Sequence, residues 1–193
     1  MATMIPDPET YFRGFIPPRD ELLIELEQEA EQEHIPIVGP VVGEFLYILA
    51  KAMNCRAVLE LGTATGYSAI YLARGISNLG GILTTIERDE AMAARARENI
   101  AKAGLADQVE VRVGEVAEVL ETLKGPYDLI FMDIEKEDYQ KALSGCHSLL
   151  KLGGLLVVDN VAFLGAHEFN QTIFTDNHWR CVHLYSLLPN HSP

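Results

Sequence analysis

From residue 56 onward the chain alternates between short apolar runs and longer stretches in which apolar residues recur every three or four positions. The runs 57–61, 82–86, 109–113, 129–132 and 155–158 have the length and composition of strands buried on both faces. The intervening stretches 67–76, 90–103, 116–123 and 139–150 have the period of amphipathic helices. Strand, helix and strand in repetition require a parallel sheet with helices on both faces. The expected fold class is therefore α/β, doubly wound and mostly parallel. Gly104 is placed to end the second of these helices and Gly153-Gly154 the fourth. A further helix is expected over 166–175 and a further strand over 180–187.

Two helices precede this pattern. Residues 20–33 are strongly acidic, with Asp20 placed as N-cap and Leu22, Leu23 and Leu26 on one side. The acids of this helix read as a solvated face, with covering the pocket or a partner subunit as a further role. A link over 35–40, punctuated by proline and glycine, leads to a helix over 41–53 with Val42, Phe45, Leu46 and Leu49 at helical spacing. The chain thus reads as one domain over 1–193, with a helical cap over 1–53 and an α/β core over 56–193. Its 193 residues, 48% of them hydrophobic, suit a single substantial core.

Composition narrows the function. No apolar window is long enough to span a membrane, and residues 1–18 do not read as a secretory signal. Cys55, Cys146 and Cys181 are odd in number and widely spaced, which argues against a disulfide framework or a structural zinc site and for the cytoplasm. The formal net charge of -13 disfavours nucleic acid and favours cationic ligands.

The first strand runs into Glu60-Leu61-Gly62-Thr63-Ala64-Thr65-Gly66-Tyr67-Ser68. In a doubly wound fold this turn lies at the carboxyl edge of the sheet, where ligands bind. Glu87 ends the second strand, 21 positions after Gly66, where such folds place a carboxylate for a ribose diol. Glu60 would repel a pyrophosphate but suits a cationic amino-acid end, and Ser68 can donate to a carboxylate at the helix N-terminus. Ribose, cation and carboxylate together describe S-adenosylmethionine better than a nicotinamide dinucleotide. The pattern is E-x-G-x-x-x-G rather than G-x-G-x-x-G, and a dehydrogenase is the least favoured reading.

The fourth strand ends in Asp133 and the fifth in Asp159-Asn160. On neighbouring parallel strands these residues would lie about 4.8 Å apart. Two carboxylates that close repel unless a cation bridges them, and the oxygen donors suit Mg²⁺ or Ca²⁺. The plainer alternative is that both acids cap strand ends. Lys136 is the only lysine within a turn of that edge. It reads equally as a base or as a solvated lysine among Glu135, Glu137 and Asp138.

The stretch 58–68 resembles the first motif of class I S-adenosylmethionine-dependent methyltransferases. It is most similar to the cation-dependent O-methyltransferases, the group of catechol and caffeoyl-coenzyme A O-methyltransferases. The resemblance runs from Ile35 to the C-terminus. It implies cofactor contacts at Val38, Glu60, Gly62, Thr63, Ser68, Glu87, Val116 and Asp133, with Gly114-Glu115-Val116 around the adenine. It implies metal ligands at Asp133, Asp159 and Asn160, a base at Lys136, a small-molecule hydroxyl acceptor and a homodimer. Two features depart from the family. Residues 159–169 are short where relatives carry a long loop lining the acceptor pocket. The family sheet closes with two antiparallel strands, of which 180–187 would supply one. Residues 188–193 read as the turn to the other, whose place would be filled beyond Pro193 or by a second subunit. Methylation of a hydroxylated RNA base and a non-catalytic cofactor-binding relative are the alternative functions. Among the histidines, His167 is the best placed to touch an acceptor; Phe163 reads as packing or as the floor of that site.

Overall fold

The computed structural model describes residues 5–76, 78 and 80–184. Five parallel strands, β1 (Ala57–Leu61), β2 (Ile82–Glu87), β3 (Val109–Val113), β4 (Tyr127–Met132) and β5 (Leu150–Val158), form one sheet in the order β3-β2-β1-β4-β5. The order reverses between β1 and β4, which opens a crevice at their carboxyl ends. Eight α-helices accompany the strands among the described residues. They are α1 (Pro8–Arg13), α2 (Glu21–Glu33), α3 (Gly39–Ala52), α4 (Tyr67–Ile76), α5 (Glu90–Lys102), α6 (Val116–Thr122), α7 (Tyr139–Leu149) and α8 (His167–Thr175). The expected doubly wound α/β fold is present. No described helix is long and apolar enough to cross a membrane.

Successive strand residues feed opposite faces, so the sheet separates two cores. Val58, Leu129 and Phe131 pack with Leu26, Leu46, Ile70 and Ile100 on one side. Leu59, Ile130 and Met132 pack with Leu120, Tyr139, Leu143 and Phe169 on the other. This two-sided burial is why the central strands β1 and β4 read as largely apolar runs, while β3 at the sheet edge alternates as Val-Glu-Val-Arg-Val.

Local signals set most element ends. Asp20 caps α2 by accepting from the Leu23 N–H at 3.0 Å, and Asp89 caps α5 through Met92 at 2.8 Å. Gly104, at φ +73°, follows the end of α5 as expected. Gly153-Gly154, however, does not end α7. That helix stops at Leu149, and β5 begins at Leu150. The glycines lie in an irregular stretch of β5, where the pairing jumps from Tyr127↔Leu150 to Leu129↔Leu155. The apolar Leu149–Leu150 pair is drawn into the core, and the glycine signal belongs to the bulge instead.

The acidic face of α2 is not simply solvated. Arg19 holds Glu27 through hydrogen bonds of 3.0, 3.1 and 3.3 Å, and Tyr67 of α4 donates to the same carboxylate at 2.6 Å. Arg95 of α5 reaches Glu29 and Glu33, and Arg74 of α4 reaches Asp20. The helix therefore docks on the core through an apolar seam and a set of ion pairs.

The strand expected over 180–187 does not form over 180–184, which are irregular. Residues 185–187 and the turn expected over 188–193 lie outside the described residues.

The seam and the ion pairs differ in weight. Leu26→Ala, at a position 2% exposed, is expected to cost about 2–5 kcal/mol. Arg95→Ala is expected to leave the urea midpoint nearly unchanged at physiological salt, because its pairs are half-exposed and screened. Equal losses in urea titrations would reverse this ranking.

Candidate active site

The carboxyl edge of the sheet is cut by a cavity of about 490 Å³. Its wall includes Val38, Gly62, Thr63, Ser68, Glu87, Val116, Asp133, Lys136, Asp159 and Asn160. Two of the site residues expected from the sequence do not line it: Glu60 lies behind the wall and is fully buried, and Gly114 is not among the lining residues.

The turn between β1 and α4 shapes one side. Gly62 has φ +94°, and a Cβ there would lie 2.1 Å from the Asp133 carbonyl oxygen. Only glycine permits that approach. Gly62 N–H donates to Ile86 at 3.0 Å, and Asp133 N–H donates to Leu61 at 2.9 Å. Behind the turn, buried Asn99 of α5 donates to the Thr65 carbonyl at 2.9 Å. These bonds satisfy backbone groups that a sharp strand-to-helix turn leaves over.

Glu87 sits at the end of β2, half-buried. It accepts from Thr63 N–H at 3.3 Å, Ala64 N–H at 2.8 Å and Asp89 N–H at 3.0 Å. It therefore braces the glycine turn and still borders the cavity. A carboxylate offers about four lone-pair sites, so a sugar diol finds acceptor capacity remaining. Val116, half-buried at the start of α6, and buried Val38 at the start of α3 supply apolar surface to the same cavity.

Glu60 is unusual. Its Oε2 accepts from the Thr85 hydroxyl at 2.6 Å, and its Oε1 is buried without a hydrogen-bond partner. Burial lifts its carboxyl from the ordinary 4.5 to about 7, and Asp133 and Glu87 add to the rise; the Thr85 and Ser68 hydroxyls oppose it. A buried carboxylate with one open oxygen suits a cationic neighbour better than a phosphate.

The other side carries the expected metal and base residues. Asp133 and Asp159 each directly follow the paired residues Met132↔Val158 of β4 and β5. Asp159 Oδ1 accepts from Asn160 N–H at 2.7 Å, and its carbonyl accepts from Tyr139 at 2.9 Å. Asn160 adopts φ +52°, a conformation asparagine tolerates better than most residues. Two carboxylates and an amide on adjacent strand ends are hard oxygen donors that fit a divalent cation. Among the described residues no three His, Cys, Asp or Glu side chains gather as a metal cluster. A cation here would thus rely on the Asn160 amide as well. Lys136 opens a single 3₁₀ turn. Its ammonium donates to Asp133 Oδ1 at 2.9 Å and to the Ile134 carbonyl at 3.0 Å, and lies 5.6 Å from the Tyr139 ring centroid. It is an ion-paired lysine, not a solvated one.

The short segment after Asn160 forms a 3₁₀ turn, Leu164–Ala166, that packs on the Lys136 turn. A Cβ on Gly165 would come within 2.6 Å of Glu137 Oε1 and 3.0 Å of Lys136 Cβ. His167 is exposed and does not line the cavity, and Phe163, 57% exposed, does not floor it. The sequence reading missed Arg88 and Glu135, whose ion pair of 3.1 Å joins the β2 and β4 ends beside the cavity. It also missed Thr85, which looks like an ordinary strand threonine.

Glu60 makes the unliganded fold sensitive to pH. As pH rises above about 4.5 the unfolded chain releases this proton first. The stability tied to the neutral form is therefore full below about 4.5 and lost by about 7. Glu60→Gln removes that dependence. In thermal melts its Tm is expected to gain on wild type from mildly acidic to mildly alkaline pH. A difference that stays constant across that range would contradict the burial of this charge.

Comparison with known proteins agrees with this geometry. Residues 18–180 match the O-methyltransferase family. A catechol O-methyltransferase from Niastella koreensis is 41% identical over 128 residues, covering 64% of this chain and 58% of the relative. One from Mycobacterium tuberculosis is 44% identical over 120 residues, covering 62% and 54%. The chain thus spans little more than half the length of these relatives. A crystal structure of the O-methyltransferase from Bacillus cereus in complex with SAH superposes with a TM-score of 0.75 at 34% identity. That match covers 86% of this chain and 77% of the other. With a turn, two acids and a strand-end carboxylate pair set as described, and with most of its length matched, the chain belongs to the O-methyltransferase family.

Proposed function

We propose that this chain transfers a methyl group from S-adenosylmethionine to a hydroxyl of a small, catechol-like molecule, assisted by Mg²⁺ or Ca²⁺. The observation that carries the reading is the single cavity, in which a cofactor wall and an oxygen-donor wall face one another across the Gly62–Asp133 contact. Two relatives named for catechol and a neighbour solved with SAH support the choice of acceptor and cofactor. The ion pairs between α2 and the core support treating 1–53 and 56–193 as parts of one domain.

Glu87 accepts from the ribose hydroxyls, and Glu60 with Ser68 receives the amino-acid end. Val38 and Val116 shield the nucleoside from water. The cofactor supplies an electrophilic methyl group. Asp133, Asp159 and Asn160 would hold the cation, which would supply Lewis acidity toward an acceptor hydroxyl. Lys136 receives the hydroxyl proton at Nζ, for which it must enter as the neutral amine. Asp133 holds that nitrogen at 2.9 Å, beside the strand ends. The rest of the protein's share is positioning and exclusion of water.

Two measurements test the reading. Calorimetry with S-adenosylhomocysteine is expected to show Glu87→Ala binding more weakly by about 1–3 kcal/mol, since charge-assisted hydrogen bonds are lost. Unchanged affinity would remove the ribose from Glu87. Methyl transfer to a catechol panel is expected with Mg²⁺ and not with a chelator. Lys136→Met is expected to lower kcat by about 10²-fold or more while leaving S-adenosylhomocysteine affinity intact. Activity that survives chelation would overturn the metal-assisted scheme.

A further inference from the structure

Among the described residues three ion pairs border the cavity, and one of them crosses it. Lys136 pairs with Asp133 and Lys141 with Asp138, each across three positions on the β4 side. Arg88 and Glu135 are 47 positions apart. Arg88 directly follows Glu87 at the end of β2, and Glu135 stands two positions after Asp133, beyond the end of β4. β2 and β4 both neighbour β1 and not each other. Their ends therefore stand two strand spacings apart, roughly 9–10 Å. Two long side chains close that span, and the Arg88 guanidinium meets Glu135 Oε1 at 3.1 Å.

The pair is placed to act on passage rather than on folding. The two walls already meet at the strand ends, where the Asp133 carbonyl fills the space beside Gly62. An ion pair whose side chains are 55% and 60% exposed adds little to stability. Both side chains nevertheless line the cavity together with Glu87 and Asp133. Glu87 is half-buried, and the Asp133 side chain is 24% exposed. The bridge therefore lies on the solvent side of the acids at the strand ends. A ligand held at Glu87 and reaching toward Asp133 spans the same two walls, inward of the bridge.

We infer that the Arg88–Glu135 ion pair is a strap across the mouth of the cavity, which opens to admit or release the nucleoside ligand. The inference rests on the cofactor reading above. A strap that closes equally over an empty and a filled cavity slows entry and exit by one factor and leaves the affinity unchanged. That factor is set by the fraction of time the pair is open, and for an exposed pair it is about two- to fivefold. A side chain that instead touches the ligand behaves differently, because its removal speeds release alone.

Stopped-flow binding of S-adenosylhomocysteine tests the strap. This ligand carries one ammonium and one carboxylate, so its net charge is zero and salt has little hold on its long-range approach. Arg88→Gln and Glu135→Gln are each expected to raise the association and dissociation rates together by about two- to fivefold, with Kd and Tm unchanged. The double variant is expected to gain no more than either single one. Arg88→Glu combined with Glu135→Arg rebuilds the pair in reverse and is expected to restore the slow rates. Added NaCl is expected to speed both rates of the wild type and neither rate of the double variant. Unchanged rates in the single variants overturn the inference. So does faster release with unchanged association, which would make these residues ligand contacts, and so does a reversed pair as fast as the double variant. Each of these failures leaves the cofactor reading standing. Wild type that binds no S-adenosylhomocysteine overturns that reading and this inference with it.

Discussion

The site depends on one close approach. The Asp133 carbonyl occupies the space where any other residue at position 62 would carry its Cβ. Because Gly62 yields that space, the turn after β1 and the turn after β4 are in direct contact at the point where the strand order reverses. The groups brought by β1 and β2 then face those brought by β4 and β5 across a single cavity. The proposed transfer, with a methyl donor on one side and an oxygen nucleophile on the other, would need this geometry, since proximity and alignment supply much of the rate in a direct displacement. A side chain at position 62 would push the two walls apart, and no adjustment of a flexible tip could absorb a clash with backbone.

Charge is arranged around that contact with similar economy. The Glu87 carboxylate is tied to three backbone N–H groups, so it braces the turn whether or not a ligand is present. Asp133 is held by the Lys136 ammonium. Glu60 differs from both, because one of its oxygens is buried without a partner. Glu87 and Asp133 are thus satisfied by the protein, while one Glu60 oxygen lacks a hydrogen-bond partner. The protein's net charge of -13 attracts cations generally.

Most of the frame was legible in the sequence because the central strands are buried on both faces and appear as largely apolar runs, and the edge strand β3 alternates over a short β-branched stretch. β1 and β3 match their expected bounds, and β2 differs only by adding Glu87. The turn residues and strand-end acids were legible because their chemistry sits beside those runs. What was not legible depends on partners distant in sequence. The acids of α2 look solvated until Arg74 and Arg95 arrive from α4 and α5. Thr85 looks like any β-former until the register sets it against Glu60. Gly153-Gly154 carries a true irregularity signal, but whether that signal ends a helix or bulges a strand is decided by the core that receives Leu149 and Leu150.

The buried carboxylate carries an electrostatic cost in this fold. An ionised group without a full set of partners destabilises the native state, and the raised pKa of Glu60 expresses that penalty. Replacing it with a neutral side chain would relieve the penalty. A cationic neighbour would relieve it in the other way, by supplying the missing partner. A ligand that binds the folded chain and not the unfolded one offsets such a penalty, because its binding energy adds to folding stability by mass action. Hydrogen bonding around Glu60 limits the strain to a single oxygen. The second oxygen is already satisfied by Thr85, and the turn above it is held by Glu87.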